Sequence, residues 1–207
     1  MSITLILVII TTGISIYAWS NPAMLNKWMF NPYMVAHRNQ YGRFISSGFI
    51  HANWMHLLFN MFVFYMFGEQ VEYVFQALLG DFGIALYVIM YLAAIVISDI
   101  PTFIKNKNNI HYNALGASGG TSGILFSYIL FDPTQSLCLY GLLCLPGFMW
   151  GILYIIYSVY MSKQKMDNIN HEAHLWGAIV GMGFTIVVYP QVVPHFFKTI
   201  LGFIGVV

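Results

Sequence analysis

Apolar residues gather along the chain in six long runs, about 3–19, 49–67, 82–100, 114–131, 137–160 and 171–189. Each approaches the length of roughly 20 residues that a helix needs to cross the hydrocarbon layer of a bilayer. The breaks between runs have local chemistry behind them. Asn21-Pro22 ends the first, Gly68-Glu69 the second, Pro101 and the polar stretch Lys105-Asn106-Lys107-Asn108-Asn109 the third. Asp132-Pro133 ends the fourth, the polar segment 162–170 the fifth and Pro190 the sixth. Proline and Asn/Asp pairs stop helices and start turns. The pattern predicts an all-α polytopic membrane protein in which residues 1–207 form one domain of six spans, 191–207 being a short tail. The first run has no basic flank and no evident small-residue cleavage site, so it is expected as a retained span, not a signal peptide. The tail is too short to cross a bilayer and is expected as a surface helix carrying Lys198.

Composition agrees with this pattern. Of 207 residues 59% are hydrophobic and 7% charged, the net charge is +1, and the mean hydropathy is +0.72. No basic surface is present to attract nucleic acid. The connection 20–48 mixes Trp28, Phe30, Tyr33 and Tyr41 with Lys27, Arg38 and Arg43, a blend suited to the headgroup region. Cys138 and Cys144 both fall in the fifth run. On one helix they would point to different faces, so they are expected as free core thiols.

The polar residues inside the runs are unevenly placed. Six connected helices alternate in direction, so the second, fourth and sixth run the same way and their N-terminal ends share one face. Those ends carry His51, His56 and Asn60, then Ser118 and Ser122, then His171, Glu172 and His174. Polar groups within a membrane are costly unless paired or wetted. Three such clusters at one depth predict a shared, water-containing cavity.

The fourth run opens with Gly116-Ala117-Ser118-Gly119-Gly120-Thr121-Ser122-Gly123. Each interior glycine costs a helix up to about 1 kcal/mol against alanine. Two readings explain that cost: a small-residue packing seam, or an uncrowded serine that becomes a nucleophile once a base reaches it. His56 and Asn60 stack on one helical face, either as donors aimed at one point or as interhelical glue. His174 is followed on much the same face by Gly177 and Gly181, a stripe that lets the fourth helix approach and brings His174 toward Ser118. His171-Glu172-Ala173-His174 falls one residue short of the H-E-x-x-H zinc spacing, so no metal and no cofactor are expected.

Together these residues resemble the rhomboid intramembrane serine proteases. The matching pieces are His51-Ala-Asn-Trp-Met-His56-Leu-Leu-Phe-Asn60, Gly116-Ala117-Ser118-Gly119 and Ala173-His174-Leu-Trp-Gly177-Ala-Ile-Val-Gly181, and the resemblance runs over about 43–181. It implies a six-helix rhomboid-like bundle that hydrolyses peptide bonds in or near the transmembrane segments of other membrane proteins. Ser118 would be the nucleophile and His174 its general base, with no acidic third member. The backbone N–H of Ser118 would join His56 and Asn60 in the oxyanion hole. Arg43, His51, Gly116, Gly119, Gly177 and Gly181 would give structural support, Arg43 by bracing the first loop and the last two glycines by packing the sixth span on the fourth. Two departures stand out. Gly42 occupies a place where the family often has tryptophan. Ser122 stands where some members carry an aromatic stacked on the base, so packing must fix the imidazole.

By the same resemblance the partners are transmembrane substrates and the lipid bilayer. Access would pass between the second and fifth spans, with Phe59 and Trp150 as gate candidates, and the setting would be the inner membrane of a bacterial cell. The family usually faces its site away from the cytoplasm. Lys27, Arg38, Arg43, Lys105, Lys107, Lys163 and Lys165 nevertheless share the Ser118 side and only Lys198 lies opposite, which by the positive-inside rule turns that side toward the cytoplasm. Two other classes make different demands. An inactive rhomboid-like helix binder usually lacks the serine or the histidine, and a transporter or channel would spread polar residues through both leaflets.

Overall fold

A computed structural model describes residues 1–139, 142–164 and 169–206. Lys165, counted above among the basic residues of the Ser118 side, lies outside the described residues. Helix α1 (Ile3–Ser20) leads into three short helices of the first connection, α2 (Pro22–Trp28), α3 (Pro32–Arg38) and α4 (Arg43–Ser46), and a 3₁₀ turn (Ser47–Phe49). Then come α5 (Trp54–Leu79), α6 (Asp81–Ser98), α7 (Ile100–Asn106) and α8 (Ser118–Phe131). A hairpin of β1 (Ser136–Leu139) and β2 (Leu143–Pro146) precedes α9 (Gly147–Gln164), α10 (His171–Val188) and α11 (Val192–Phe203).

The helix starts follow local rules. Asn21 and Asn31 cap α2 and α3 through their side-chain oxygens, each with proline just inside the helix, where a missing N–H costs nothing. Asn53 caps α5 by accepting from the His56 N–H, and Asn170 caps α10 by accepting from the Ala173 N–H. The first turns of α5 and α10, which hold the two key histidines, are therefore fixed by asparagine.

Three sequence expectations need correction. The fifth run is not one helix from 137 to 160. Its first part is the hairpin, in which Cys138 pairs with Cys144 across the antiparallel register, and the two cysteines form a disulfide instead of free thiols on a helix. The second helix does not stop at Gly68-Glu69. It continues to Leu79 because Glu72, though charged, is buried against α1, accepting from the Ile3 and Thr4 N–H groups at 2.8 Å each and from the Thr4 hydroxyl at 2.7 Å. The open start of α1 is thus capped by a side chain from α5. Nor does Pro101 end the third helical segment, because α7 begins there with proline inside its first turn.

Among the described residues two helical segments are by themselves long and apolar enough to cross a bilayer, Ile3–Ser20 and Asp81–Asn106. The pair α10 and α11, bent by 109°, would add a third if taken as one span. Helix α8 occupies the centre. It packs against α5, α6, α9 and α10, and its residues from Gly119 to Ile124 are buried. Phe64 and Phe75 of α5, Tyr87, Met90, Tyr91 and Ile95 of α6, and Ile124 of α8 form the main apolar core.

Candidate active site

Ser118 is the first residue of α8, and no side chain caps that helix start. The first intrahelical bond falls on the Thr121 N–H, which donates to Ala117. The N–H groups at the head of the helix, that of Ser118 included, have no carbonyl one turn back and face outward with the positive end of the helix dipole. Such a terminus favours an anion.

The approach to Ser118 is shaped by Gly116. Its φ of +122° belongs to glycine, and a Cβ there would lie 2.5 Å from the His56 ring. Its N–H donates to Ser47 at 2.9 Å. His56 accepts a long bond, 3.5 Å, from the Ala52 N–H at Nδ1. In the neutral ring this leaves the proton on Nε2, the atom that a Gly116 Cβ would approach to 2.7 Å. Asn60 is buried and donates from Nδ2 to the His56 carbonyl at 2.9 Å, so one of its two N–H bonds is committed and the other is spare.

His51 holds the residue before Ser118. Its Nε2 accepts from the Ala117 N–H at 3.3 Å, and its Nδ1 lies 3.0 Å from the Ser15 hydroxyl. A backbone N–H can only donate, so the imidazole proton sits on Nδ1 and is given to Ser15. Ser15 in turn donates to Phe49 at 3.2 Å. The ring is fully buried. Helix α1, the 3₁₀ turn and the head of α8 are tied together through it.

Helix α10 meets α8 backbone to backbone. A Cβ on Gly177 would fall 2.2 Å from the Gly119 carbonyl oxygen, and one on Gly181 2.0 Å from that of Gly123. The same register sets the second turn of α10 beside the first turn of α8, and the first turn of α10, with His174, beside the segment that leads into Ser118. Gly119 itself has no room for a side chain, since Ser98 of α6 stands 2.1 Å from where its Cβ would be. Ser47, Ser98, Asp99, Gly116, Ser118 and Asn170 line a small polar cavity of about 20 Å³ at this junction, space for one water.

The imidazole of His174 faces the ring of Tyr154 on α9, centroids 6.3 Å apart and planes 25° from parallel. The Tyr154 hydroxyl is 2.5 Å from that of Ser122. Tyr157 meets His171 edge-on at 5.5 Å. Neither tyrosine was singled out in the sequence. The signal for Tyr154 was a hydroxyl-bearing ring inside an apolar run, and only the packing of α9 shows where it points.

The remaining candidates lie as follows. Arg43 is buried and donates to the Asn26 and Met29 carbonyls at 2.9 and 2.6 Å and to Gln40 at 2.6 Å, joining the end of α2 to the start of α4. Burial lowers its pKa from the ordinary value, but a guanidinium remains charged. Gly42 has open space around it. Glu172 pairs with Lys105 at 2.6 Å. Among the described residues no cluster of His, Cys, Asp or Glu is arranged to hold a metal. Phe59 is exposed on α5 beside Leu58 and Phe62. Trp150 does not share that level. It sits in the first turn of α9, where its indole N–H donates to Leu137 in the hairpin at 2.8 Å, at the opposite end of α8 from Ser118.

A family model for the rhomboid domain matches residues 38–191. RHOMBOID-like protein 12, mitochondrial, of Arabidopsis thaliana is 29% identical over 168 residues, covering 74% of this chain and 49% of its own length. Rhomboid-like protein 11, chloroplastic, of the same plant is 29% identical over 152 residues, covering 68% and 50%. Rhomboid protease GlpG of Haemophilus influenzae is 27% identical over 141 residues, covering 68% and 66%. The chain thus spans about half the length of the two plant relatives and about two thirds of the bacterial one.

Proposed function

The chain belongs to the rhomboid family of integral membrane proteins, and we propose that it is an intramembrane serine endopeptidase acting through Ser118 and His174. The observation that carries this reading is the contact of Gly177 and Gly181 with Gly119 and Gly123. It presses α10 onto α8 at backbone distance, and in this reading it brings an alcohol and an imidazole, far apart in sequence, to neighbouring helix starts.

In this reading His174 takes the Ser118 proton as Oγ attacks the scissile carbonyl. The negative charge that forms on the substrate oxygen meets the Ser118 N–H at the head of α8, the His56 Nε2–H and the spare Asn60 N–H, and each such donor is worth about 10²–10³-fold in rate. His174 then protonates the leaving amine, and water, activated by the same base, releases the acyl group. Support for the oxyanion role comes from the tautomer that Ala52 imposes on His56. Support for a rigid nucleophile comes from the His51 bond to Ala117.

The substrate we assign is the transmembrane segment of another membrane protein. A helix hides its backbone, so a cleavable segment unwinds readily through small or helix-breaking residues. Helices α5 and α9 both pack on α8 while exposing Leu58, Phe59 and Phe62 on one and Leu153, Ile156 and Tyr157 on the other. We place lateral access between these two faces. We also take α1, α5, α6 with α7, α8, α9 and α10 as the six spans, in a bacterial cell membrane, as the likeness to the Haemophilus protein suggests.

The test is cleavage in proteoliposomes of a model substrate with a glycine-containing transmembrane segment. Wild type should release a product cut in or near that segment, and Ser118→Ala and His174→Ala should release none. Equal cleavage by either variant overturns the reading.

A further inference from the structure

We infer that the pocket between the first connection and the segment before α8 binds the phosphate of an anionic phospholipid. The inference goes beyond the proposed peptidase chemistry and does not depend on it.

The pocket measures about 370 Å³ and opens to the surface, with Asn26, Lys27, Arg43 and Asn113 among its polar walls. Its frame is built in. Asn31 donates from Nδ2 to the Ile110 carbonyl at 3.0 Å and to Asn113 Oδ1 at 3.1 Å, while its own Oδ1 caps α3. Phe30 and Ala114 exchange both backbone hydrogen bonds at 2.9 Å. The two segments that meet at the pocket are therefore fixed to one another by the protein itself.

Arg43 supplies the reason for an anion. It is 8% exposed, and its hydrogen-bond partners among the described residues are all neutral. Nε donates to the Gln40 carboxamide, and Nη1 gives its two hydrogens to the Asn26 and Met29 carbonyls. The two N–H groups on Nη2 have no acceptor among the described residues. No acidic side chain is among the described residues that line the pocket. A charge held out of water is costly unless it is paired, and guanidinium N–H groups match phosphate oxygens. Lys27, in the last turn of α2, is exposed and brings a second positive charge to the same wall.

The setting identifies the source of the phosphate. The connection 20–48 mixes aromatic with basic residues as the headgroup region favours. Met34 and Ile110 add an apolar wall, which suits the glycerol and first methylenes of a lipid and has no counterpart on a free phosphate. With two cations and no acid, the lining gives nothing to pair with the ammonium of a zwitterionic headgroup. An anionic headgroup such as phosphatidylglycerol matches it.

The test titrates the purified chain, in neutral detergent, with dihexanoyl-phosphatidylglycerol, dihexanoyl-phosphatidylcholine and inorganic phosphate. Binding is read by isothermal titration and by the shift in thermal unfolding. Wild type should bind the phosphatidylglycerol saturably and about tenfold or more tighter than the phosphatidylcholine. Lys27→Gln should weaken that binding about three- to tenfold, the loss of one charge-assisted contact. Arg38→Gln removes an exposed cation of the same connection outside the pocket and should stay within about twofold. Arg43→Lys keeps the charge but loses Nη2 and should weaken binding about tenfold; where it does not fold, Lys27→Gln decides. Equal binding of the two lipids overturns the inference. So does an equal loss in Lys27→Gln and Arg38→Gln, which marks a diffuse attraction of the basic face. Inorganic phosphate bound as tightly as phosphatidylglycerol overturns the lipid as the source of the anion. Ser118→Ala should bind the lipid as wild type does. Cleavage by Ser118→Ala would remove the peptidase reading and leave this site standing, whereas absent lipid binding beside an inactive Ser118→Ala removes only the site.

Discussion

A Cβ built on Gly177 would stand 2.2 Å from the carbonyl oxygen of Gly119. No side chain can yield there, because the obstacle is backbone. The hydrogen in place of a methyl group is what lets α10 lie on α8, and the proposed pairing of His174 with Ser118 would depend on it. Gly177→Ala and Gly181→Ala should each lower stability by about 1–3 kcal/mol through overpacking and abolish cleavage. Gly183, in the same helix, has nothing within 4 Å of its would-be Cβ, so Gly183→Ala should keep activity and gain up to about 1 kcal/mol. Thermal unfolding in mild detergent with a cleavage assay compares the three.

His51 should matter although it is not placed in contact with substrate. Its ring is the acceptor for the buried Ala117 N–H. His51→Ala leaves that donor unsatisfied and should cost about 1–3 kcal/mol while reducing turnover, because the chain immediately before Ser118 loses its anchor. Thermal unfolding and kcat should fall together.

Glu72 acts at the other end of the bundle. It caps α1 by accepting from two backbone N–H groups and the Thr4 hydroxyl, and Thr4 also bonds Tyr87 at 2.6 Å. Glu72→Ala orphans several buried donors at once and should destabilise by about 3 kcal/mol or more. Enough folded protein recovered at low temperature should still label at Ser118, since the hydrogen bonds that tie α1 to His51 come from Ser15 and Trp19, far along the helix from the start that Glu72 caps.

The disulfide between Cys138 and Cys144 should be measurable directly. Alkylation under denaturing conditions should add nothing to the intact mass before reduction and two groups after it, accounting for both cysteines of the chain. Replacing both by serine should cost about 2 kcal/mol in the chain-entropy picture of such a short loop. Cleavage at the other end of α8 should be unaffected.

Much of this architecture could be read from residue pattern. The clustering of His56, Asn60, Ser118 and His174 at like-directed helix ends, and the glycine stripe at Gly177 and Gly181, were visible as spacing alone. The hairpin was not. Leu137, Cys138, Leu143, Cys144 and Leu145 are apolar throughout, and a short continuous apolar run fits strand and helix equally. Its punctuation lay in Gly141 and Pro146. Gly68-Glu69 misled differently, since a glycine and a carboxylate usually mark the edge of a span, whereas α5 runs on to Leu79 and Glu72 serves a neighbouring helix start. Tyr154 escaped notice because its position depends on how α9 turns about its axis, which packing against Ser122 and Phe126 decides.

The most direct test of the central claim is intact-mass and peptide analysis after treatment with a fluorophosphonate, comparing wild type with Ser118→Ala and His174→Ala. A single adduct on the peptide containing Ser118 in wild type, with none in either variant, is the predicted result. Equal labelling of all three proteins, or an adduct on another serine, would contradict it.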